Sequence, residues 1–496
     1  MILNNFRFIR LSNFGYFFFS LYFLLKFPNN KTGLADLYQF RQTQTAWGIR
    51  EASRSGYDFF NLRMPVLGYP YQVPFEFPLF QNISALVGSI LKLGVVESGR
   101  MTSLLFFCLG GILTFNLITK LTSVSIAIFS VCLLYLTPFA IQWSNAVLIE
   151  SLANFFLILS ATFLRLYFER GSSYLISLSS LALSLCALVK ITTAIPLIFF
   201  LGIFLMWGTN FRLCGKKIII LLISALLSFA PTFTWTRYAD SVKENGVFTQ
   251  WLTSTNLRNW NFGTLEQRLN AFDWLIIFAR FWLLGGVGFF ALIAFLFFVL
   301  FKNGKIGKSS IVLILPFITP ITYFNLYVVH DYYFMALLFP SILLFSYALM
   351  LLKRKFNLNL SISLSIFLIF VLTIPSWIFS IPNRDYRGAI KSSRENVPLL
   401  ASEISGNTAP TDRIFVVGCD WDPSVLFYAD RYGVAAPGWI GNTEDALIFL
   451  ANQTIIDSPR YLAICGGNLA PENPSKFDLR QISKNIWKFE SSNMTK

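Results

Sequence analysis

Long apolar runs dominate the chain, separated by short polar stretches rather than arranged in alternating patterns. Their lengths lie near the roughly 20 residues that cross a hydrocarbon core as a helix. They predict about eleven spans, at 14–27, 101–119, 124–141, 147–168, 174–189, 193–207, 217–236, 285–301, 310–328, 332–352 and 359–380. Beyond residue 380 hydropathy falls and the pattern changes. R-I-F-V-V-G (413–418) and R-Y-L-A-I-C (460–465) read as buried strands, and 422–430 and 443–453 as helices. The reading is an α-helical polytopic membrane domain over 1–380, with long outer loops at 28–100 and 237–284, followed by a small extracytoplasmic α/β domain over 381–496.

Composition agrees. With 55% hydrophobic, 17% aromatic and only 13% charged residues, a soluble domain of 496 residues is excluded. The formal charge of +15 needs no nucleic-acid partner, because it is mostly topological. With the N-terminus in the cytoplasm, the inner loops collect Arg7, Arg10, Lys120, Arg165, Arg170, Arg212, Lys216, Lys217, Lys302, Lys305, Lys308, Lys353, Arg354 and Lys355 against the single acid Glu169. That is the positive-inside pattern. The first run, Phe14 to Phe27, follows two arginines but lacks a small-residue cleavage site, and so reads as a retained anchor. The location that follows is an inner, multi-pass cell membrane with the tail outside.

The outer loops carry unusual chemistry. D-L-Y-Q-F-R-Q-T-Q-T-A-W (36–47) and P-F-E-F-P-L (74–79) stand in the first, and Trp251, Trp260, Trp274 and Trp282 in the second. Tryptophans so spaced suit helices in the headgroup layer, so both loops are expected to lie on the membrane and roof a cavity. Of six cysteines, Cys108, Cys132, Cys186 and Cys214 read as apolar fillers, while Cys419 and Cys465 each follow a predicted strand, and parallel neighbouring strands would bring them together. Asp420-Trp421-Asp422 has the D-x-D form by which many sugar transferases hold a metal and a nucleotide diphosphate, but an outward-facing loop meets no cytoplasmic nucleotide sugar. Asp422 before Pro423 reads instead as a helix N-cap.

Ionisable residues gather at the outer membrane face. Asp36 and Arg41, with Gln42 beside it, open the first outer loop; Glu76 sits between prolines; Glu150 lies near the outer end of the fourth span and Lys190 at that of the fifth. His330, Asp331, Tyr332 and Tyr333 lie between the ninth and tenth. Together they supply a general base and cations for an anionic leaving group. Structural readings stand beside these: Asp36 and Gln39 have capping-box spacing, Asp331 can cap the tenth span, and Glu150 with Lys190 can form an interhelical ion pair. Intramembrane charge is expensive, which favours function for that last pair.

These segments, with S-N-A-V-L-I-E-S-L-A, V-K-I-T-T-A, W-N-F-G-T-L-E-Q-R-L and V-H-D-Y-Y-F, resemble bacterial membrane glycosyltransferases of the GT-C superfamily, of the protein O-mannosyltransferase and aminoarabinose transferase type, from about residue 30 to 345. The resemblance implies inverting transfer of one sugar from a polyprenyl-phosphate donor to a lipid, protein or glycan acceptor. It implies Asp36 as base, with Glu76 as substitute because Leu37 replaces the acid of the mannosyltransferase Asp-Glu pair. It also implies Arg41 and Lys190 on the lipid phosphate and the H-D-Y-Y segment lining the cavity. No metal-ligand cluster is legible, and a divalent cation stays open. Two other classes remain: a transporter or flippase of a lipid-linked or anionic substrate, against which the sequence offers neither paired repeats nor broken helices, and a lipid-linked glycan polymerase or ligase.

Overall fold

The computed structural model describes residues 16–26, 34, 38–208, 215–280, 318–356, 374, 387–453, 457–465 and 470–490. The expected spans at 285–301 and 359–380 lie outside these, apart from residue 374, as does Asp36. The chain divides into two compact units. One holds Met1–Lys31, Arg100–Trp235 and Leu257–Asn383; the other holds Thr32–Gly99, Thr236–Asn256 and Arg384–Lys496.

Among the described residues, Val95–Leu121, Glu150–Arg170, Ser173–Ala194 and Ile219–Glu244 are helices long and apolar enough to cross a membrane. Two expected spans differ from expectation. The run 124–141 is two helices, Val124–Tyr135 and Pro138–Trp143, because Thr137 and Pro138 start a new one: the Ala140 N–H donates to Thr137 Oγ1 at 3.1 Å, with proline in the first turn. The described end of 310–328 is likewise two short helices, Ile318–Thr322 and Phe324–Val329, parted at Tyr323. Spans 174–189 and 193–207 are two helices, as expected, within Ser173–Gly208 and parted at Lys190, whose backbone (φ −158°, ψ 97°) is extended.

In the helical unit, small and polar residues fasten one helix to the next. Ser160 and Ser179 hydroxyls meet at 3.0 Å, Ser346 donates to Ser130 at 2.7 Å, and Asn154 Nδ2 donates to the Met335 carbonyl at 2.9 Å. Such bonds tie apolar helices together where burial supplies no preference between neighbours. Gly111 lets Tyr135 lie against the Val95–Leu121 helix, since a Cβ there would stand 1.8 Å from Tyr135 Oη. That hydroxyl donates to the Phe107 carbonyl at 2.7 Å.

The second unit is built on a five-stranded sheet of order β2-β1-β3-β5-β4, with β1 Arg413–Val417, β2 Tyr432–Ala435, β3 Tyr461–Ile464, β4 Leu479–Gln481 and β5 Ile486–Phe489. β2, β1 and β3 run parallel, while β5 is antiparallel to β3 and β4. The expected strands are β1 and β3, and the expected helices are Ser424–Ala429 and Thr443–Ala451. The first long loop belongs to this unit. Residues 65–68 run antiparallel along the free edge of β2, with Ala435 N–H donating to the Val66 carbonyl at 2.8 Å and Gly68 N–H to the Gly433 carbonyl at 3.1 Å. They close an edge that would otherwise present unpaired backbone groups. Gly433 is required within β2, because a Cβ would lie 1.9 Å from the Ile414 carbonyl oxygen.

The helix Gln39–Ser55 packs on the same sheet unit. Trp47, fully buried, donates from Nε1 to the Pro423 carbonyl at 3.4 Å, Thr43 meets Ser424 at 3.1 Å, and the Arg50 guanidinium lies 3.8 Å over the Phe427 ring. Gln42 to Ile49 are all buried, so the expectation of a helix lying in the headgroup layer gives way to one covered by protein. Its run of Gln and Thr is what a polar interior with hydrogen-bond partners accommodates and a lipid surface does not.

Candidate functional site

In the helical unit, Glu150 is the first residue of helix Glu150–Arg170, placed by the buried loop 144–149, whose carbonyls at Ala146 and Leu148 accept from Ser103 Oγ at 2.6 and 3.1 Å. A carboxylate in the first turn suits the positive end of the helix. Lys190 stands at the break of Ser173–Gly208, and its ammonium donates to Glu150 Oε1. The two are 5% and 2% exposed. Lys190 Nζ also lies 3.9 Å over the Tyr333 ring and 5.1 Å from that of Tyr332. The cation thus has a carboxylate and two aromatic faces around it. Glu150 Oε2 is buried with no hydrogen-bond partner among the described residues, so the pair does not use all its acceptor capacity.

Tyr332 and Tyr333 belong to the short 3₁₀ turn Asp331–Phe334, which feeds helix Met335–Phe356. Asp331 is buried at the start of that turn. His330 ends the preceding helix, its N–H on the Leu326 carbonyl at 2.9 Å, and its ring lies 5.2 Å from Tyr332, 5.9 Å from Tyr333 and 6.1 Å from Trp260. Behind it the W-N-F-G-T-L-E-Q-R-L segment acts as a buttress. Thr264 and Gln267 form a capping box, Gln267 Nε2 donates to Asn325 Oδ1 at 2.9 Å, and Arg268 donates to the Ile321 carbonyl at 2.6 Å. Trp143, overlooked in the sequence, closes on Tyr332 at 6.1 Å.

In the sheet unit, Arg41 is ion-paired with Glu76 and also donates to Gln44. The pair is partly open, at 18% and 26% side-chain exposure. Gln42 is buried on the same helix. The helix itself begins after Tyr38 at the N-cap, which makes no side-chain cap bond. The six candidates Glu150, Lys190, His330, Asp331, Tyr332 and Tyr333 therefore gather in one unit, and Arg41, Gln42 and Glu76 in the other.

Cys419 and Cys465 form a disulfide between the ends of β1 and β3, with Cα atoms 5.5 Å apart. The D-x-D acids are structural. Asp422 Oδ1 accepts the Ser424 N–H at 2.8 Å, but the N-cap is Pro423, one residue later than the expected Asp422. Asp420, at φ 53°, accepts the Gly438 N–H at 2.6 Å. Burial pushes the Asp422 carboxyl up, against the bonds from Ser424. Among the described residues, no three His, Cys, Asp or Glu stand together as metal ligands.

No family's sequence model matches the chain, and no curated protein matches it in sequence. Its fold does match solved structures. ArnT from Cupriavidus metallidurans bound to undecaprenyl phosphate superimposes with a TM-score of 0.52 at 11% identity, over 92% of this chain and 94% of that one. The apo state of the same protein gives 0.51 at 10% identity, over the same shares. The Archaeoglobus fulgidus oligosaccharyltransferase in complex with Zn and sulfate gives 0.48 at 14% identity over 85% of this chain and 63% of that one, too low to add to the fold assignment. The chain thus shares the fold of ArnT. It is a multi-pass membrane protein.

Proposed function

We propose that the chain is a glycosyltransferase that moves one sugar, with inversion, from a polyprenyl-phosphate donor to an acceptor hydroxyl. In this reading an inner membrane is crossed about eleven times, with the N-terminus cytoplasmic and residues 381–496 outside. The acceptor oxygen attacks the anomeric carbon as the bond from that carbon to the phosphate oxygen breaks. The hydroxyl proton passes to a carboxylate, Asp36 or, in its place, Glu76, and the polyprenyl phosphate leaves with one more negative charge than it had in the donor. Lys190 and Arg41 offset that charge, and His330, Asp331, Tyr332 and Tyr333 line the pocket around the donor.

The observation that carries this reading is Lys190. A buried cation in the break of an apolar helix, clasped by Glu150 and two tyrosine rings, is costly to keep, and a lipid phosphate is a ligand that would repay it. The break itself also favours a second reading, a transporter, since interrupted helices surround transporter sites. Purified protein in lipid, offered a panel of radiolabelled polyprenyl-phosphate sugars, separates the two. Release of polyprenyl phosphate establishes transfer; intact donors in the presence of acceptor membranes, with measurable flux across vesicles, establish transport.

A further inference from the structure

We propose that Trp421 is a positioning residue that sets the geometry of Arg41 and Glu76, and that the D-x-D motif and the Cys419–Cys465 disulfide exist to hold it in place. The inference rests on the reading above, in which Arg41 and Glu76 serve the reaction. The Trp421 ring meets Phe40 edge-on at 4.6 Å and 82°, and meets Phe75 at 6.1 Å. Phe40 immediately precedes Arg41, and Phe75 immediately precedes Glu76. One indole therefore touches the chain neighbours of both members of an ion pair drawn from segments thirty-five residues apart. A third ring, Trp251, closes on the indole at 5.3 Å and 87°.

The loop that bears Trp421 is fixed on both sides. Cys419 is bonded to Cys465 at the end of β3, Asp420 takes the Gly438 N–H beyond β2, and Asp422 takes the Ser424 N–H at the start of the next helix. Three strands thus share in anchoring one segment of five residues, 419–423, half-buried or exposed as far as Asp422 and buried at Pro423. This gives both D-x-D carboxylates a use that requires neither metal nor nucleotide. It also gives the tail a role in the chemical step, beyond meeting an acceptor. A displacement of about 1 Å in a reacting group costs about 10²-fold in rate, and an edge-to-face ring contact is a stiff way to prevent one.

The test compares Trp421→Ala, Trp421→Phe and the double variant Cys419→Ser/Cys465→Ser with wild type, all as full-length protein in lipid. Two readouts are taken: kcat and KM for donor cleavage, and amide hydrogen exchange. Trp421→Ala is expected to lower kcat by about 10²-fold with donor KM within about twofold, and to speed exchange in 39–45 and 74–80 while β1 and β3 stay protected. Trp421→Phe should recover most of both effects, and the double serine variant should fall between. Unchanged exchange in the two segments in Trp421→Ala overturns the proposal, as does a kcat that Trp421→Phe fails to restore in folded protein. If wild type cleaves no donor, the functional reading fails on its own, and the exchange measurement still decides whether Trp421 holds these segments.

Discussion

Two ion pairs divide the candidate residues between the units, and their settings are opposite. Glu150 and Lys190 are sealed among apolar helices, while Arg41 and Glu76 are partly open beside a cluster of aromatic rings. Desolvating a carboxylate and an ammonium costs several kcal/mol for each ion, which their attraction only partly returns. A partly exposed pair costs little and contributes little, about 0–1 kcal/mol. The buried pair is therefore the one whose presence needs a reason outside stability. The open pair needs a reason for its precise placement, which its neighbours supply.

Experiments can break this contrast. The largest effect is expected at the base. Asp36→Asn keeps shape and removes basicity, so turnover should fall by about 10²–10⁴-fold with donor binding retained; near wild-type turnover transfers the assignment to Glu76. Next comes the buried pair. Lys190→Ala strands a carboxylate and should cost about 3–5 kcal/mol in unfolding, whereas Glu150→Leu with Lys190→Met should recover that stability and still lack donor turnover. If the apolar double variant cleaves donor as wild type does, the pair is only a fastener.

Arg41→Ala should lie well below that on the stability scale, within about 1 kcal/mol, while weakening donor turnover; a large loss of stability instead would make the two pairs alike. The smallest effect is set by pH. The Asp430 carboxyl loses some solvation by burial, but the Arg54 hydrogen bond and the Arg50 and Arg54 charges outweigh this and hold it below its ordinary value of 3.8. Its stabilising contribution is present above that value and fades as pH falls through the lower folded one. Half exposed as it is, the group contributes less than about 1 kcal/mol. Exchange at Arg50–Ser55 should quicken in acid, and Asp430→Asn should flatten that dependence.

Legibility followed sequence distance. β1 and β3 were readable because R-I-F-V-V and Y-L-A-I are short β-branched or aliphatic runs bounded by Gly, Pro or Cys, and Asn442 with Asp445 carries a capping box in plain spacing. The Glu150–Lys190 pairing was foreseeable as one option, since a lone charge at either position would be costly. The break at Lys190 was legible as well, falling between the expected spans 174–189 and 193–207. The residues that hold Arg41 and Glu76 were hidden. Nothing local to Phe40, Phe75 or Trp421 reveals that segments nearly four hundred residues apart share one aromatic cluster. Every charged candidate with an aromatic chain neighbour was nonetheless a hint.

The antiparallel pairing of residues 65–68 with β2 fixes an order of events in biosynthesis. The ribosome makes this segment long before its partner: at about 5–20 residues per second, roughly twenty to seventy seconds separate them. Throughout that interval the helix carrying Trp47 has no sheet to pack on. The first loop must therefore wait, unfolded or chaperoned, until the last part of the chain is delivered to the same compartment. A nascent chain halted before β2 would hold every transmembrane segment up to residue 356 and still lack a folded first loop.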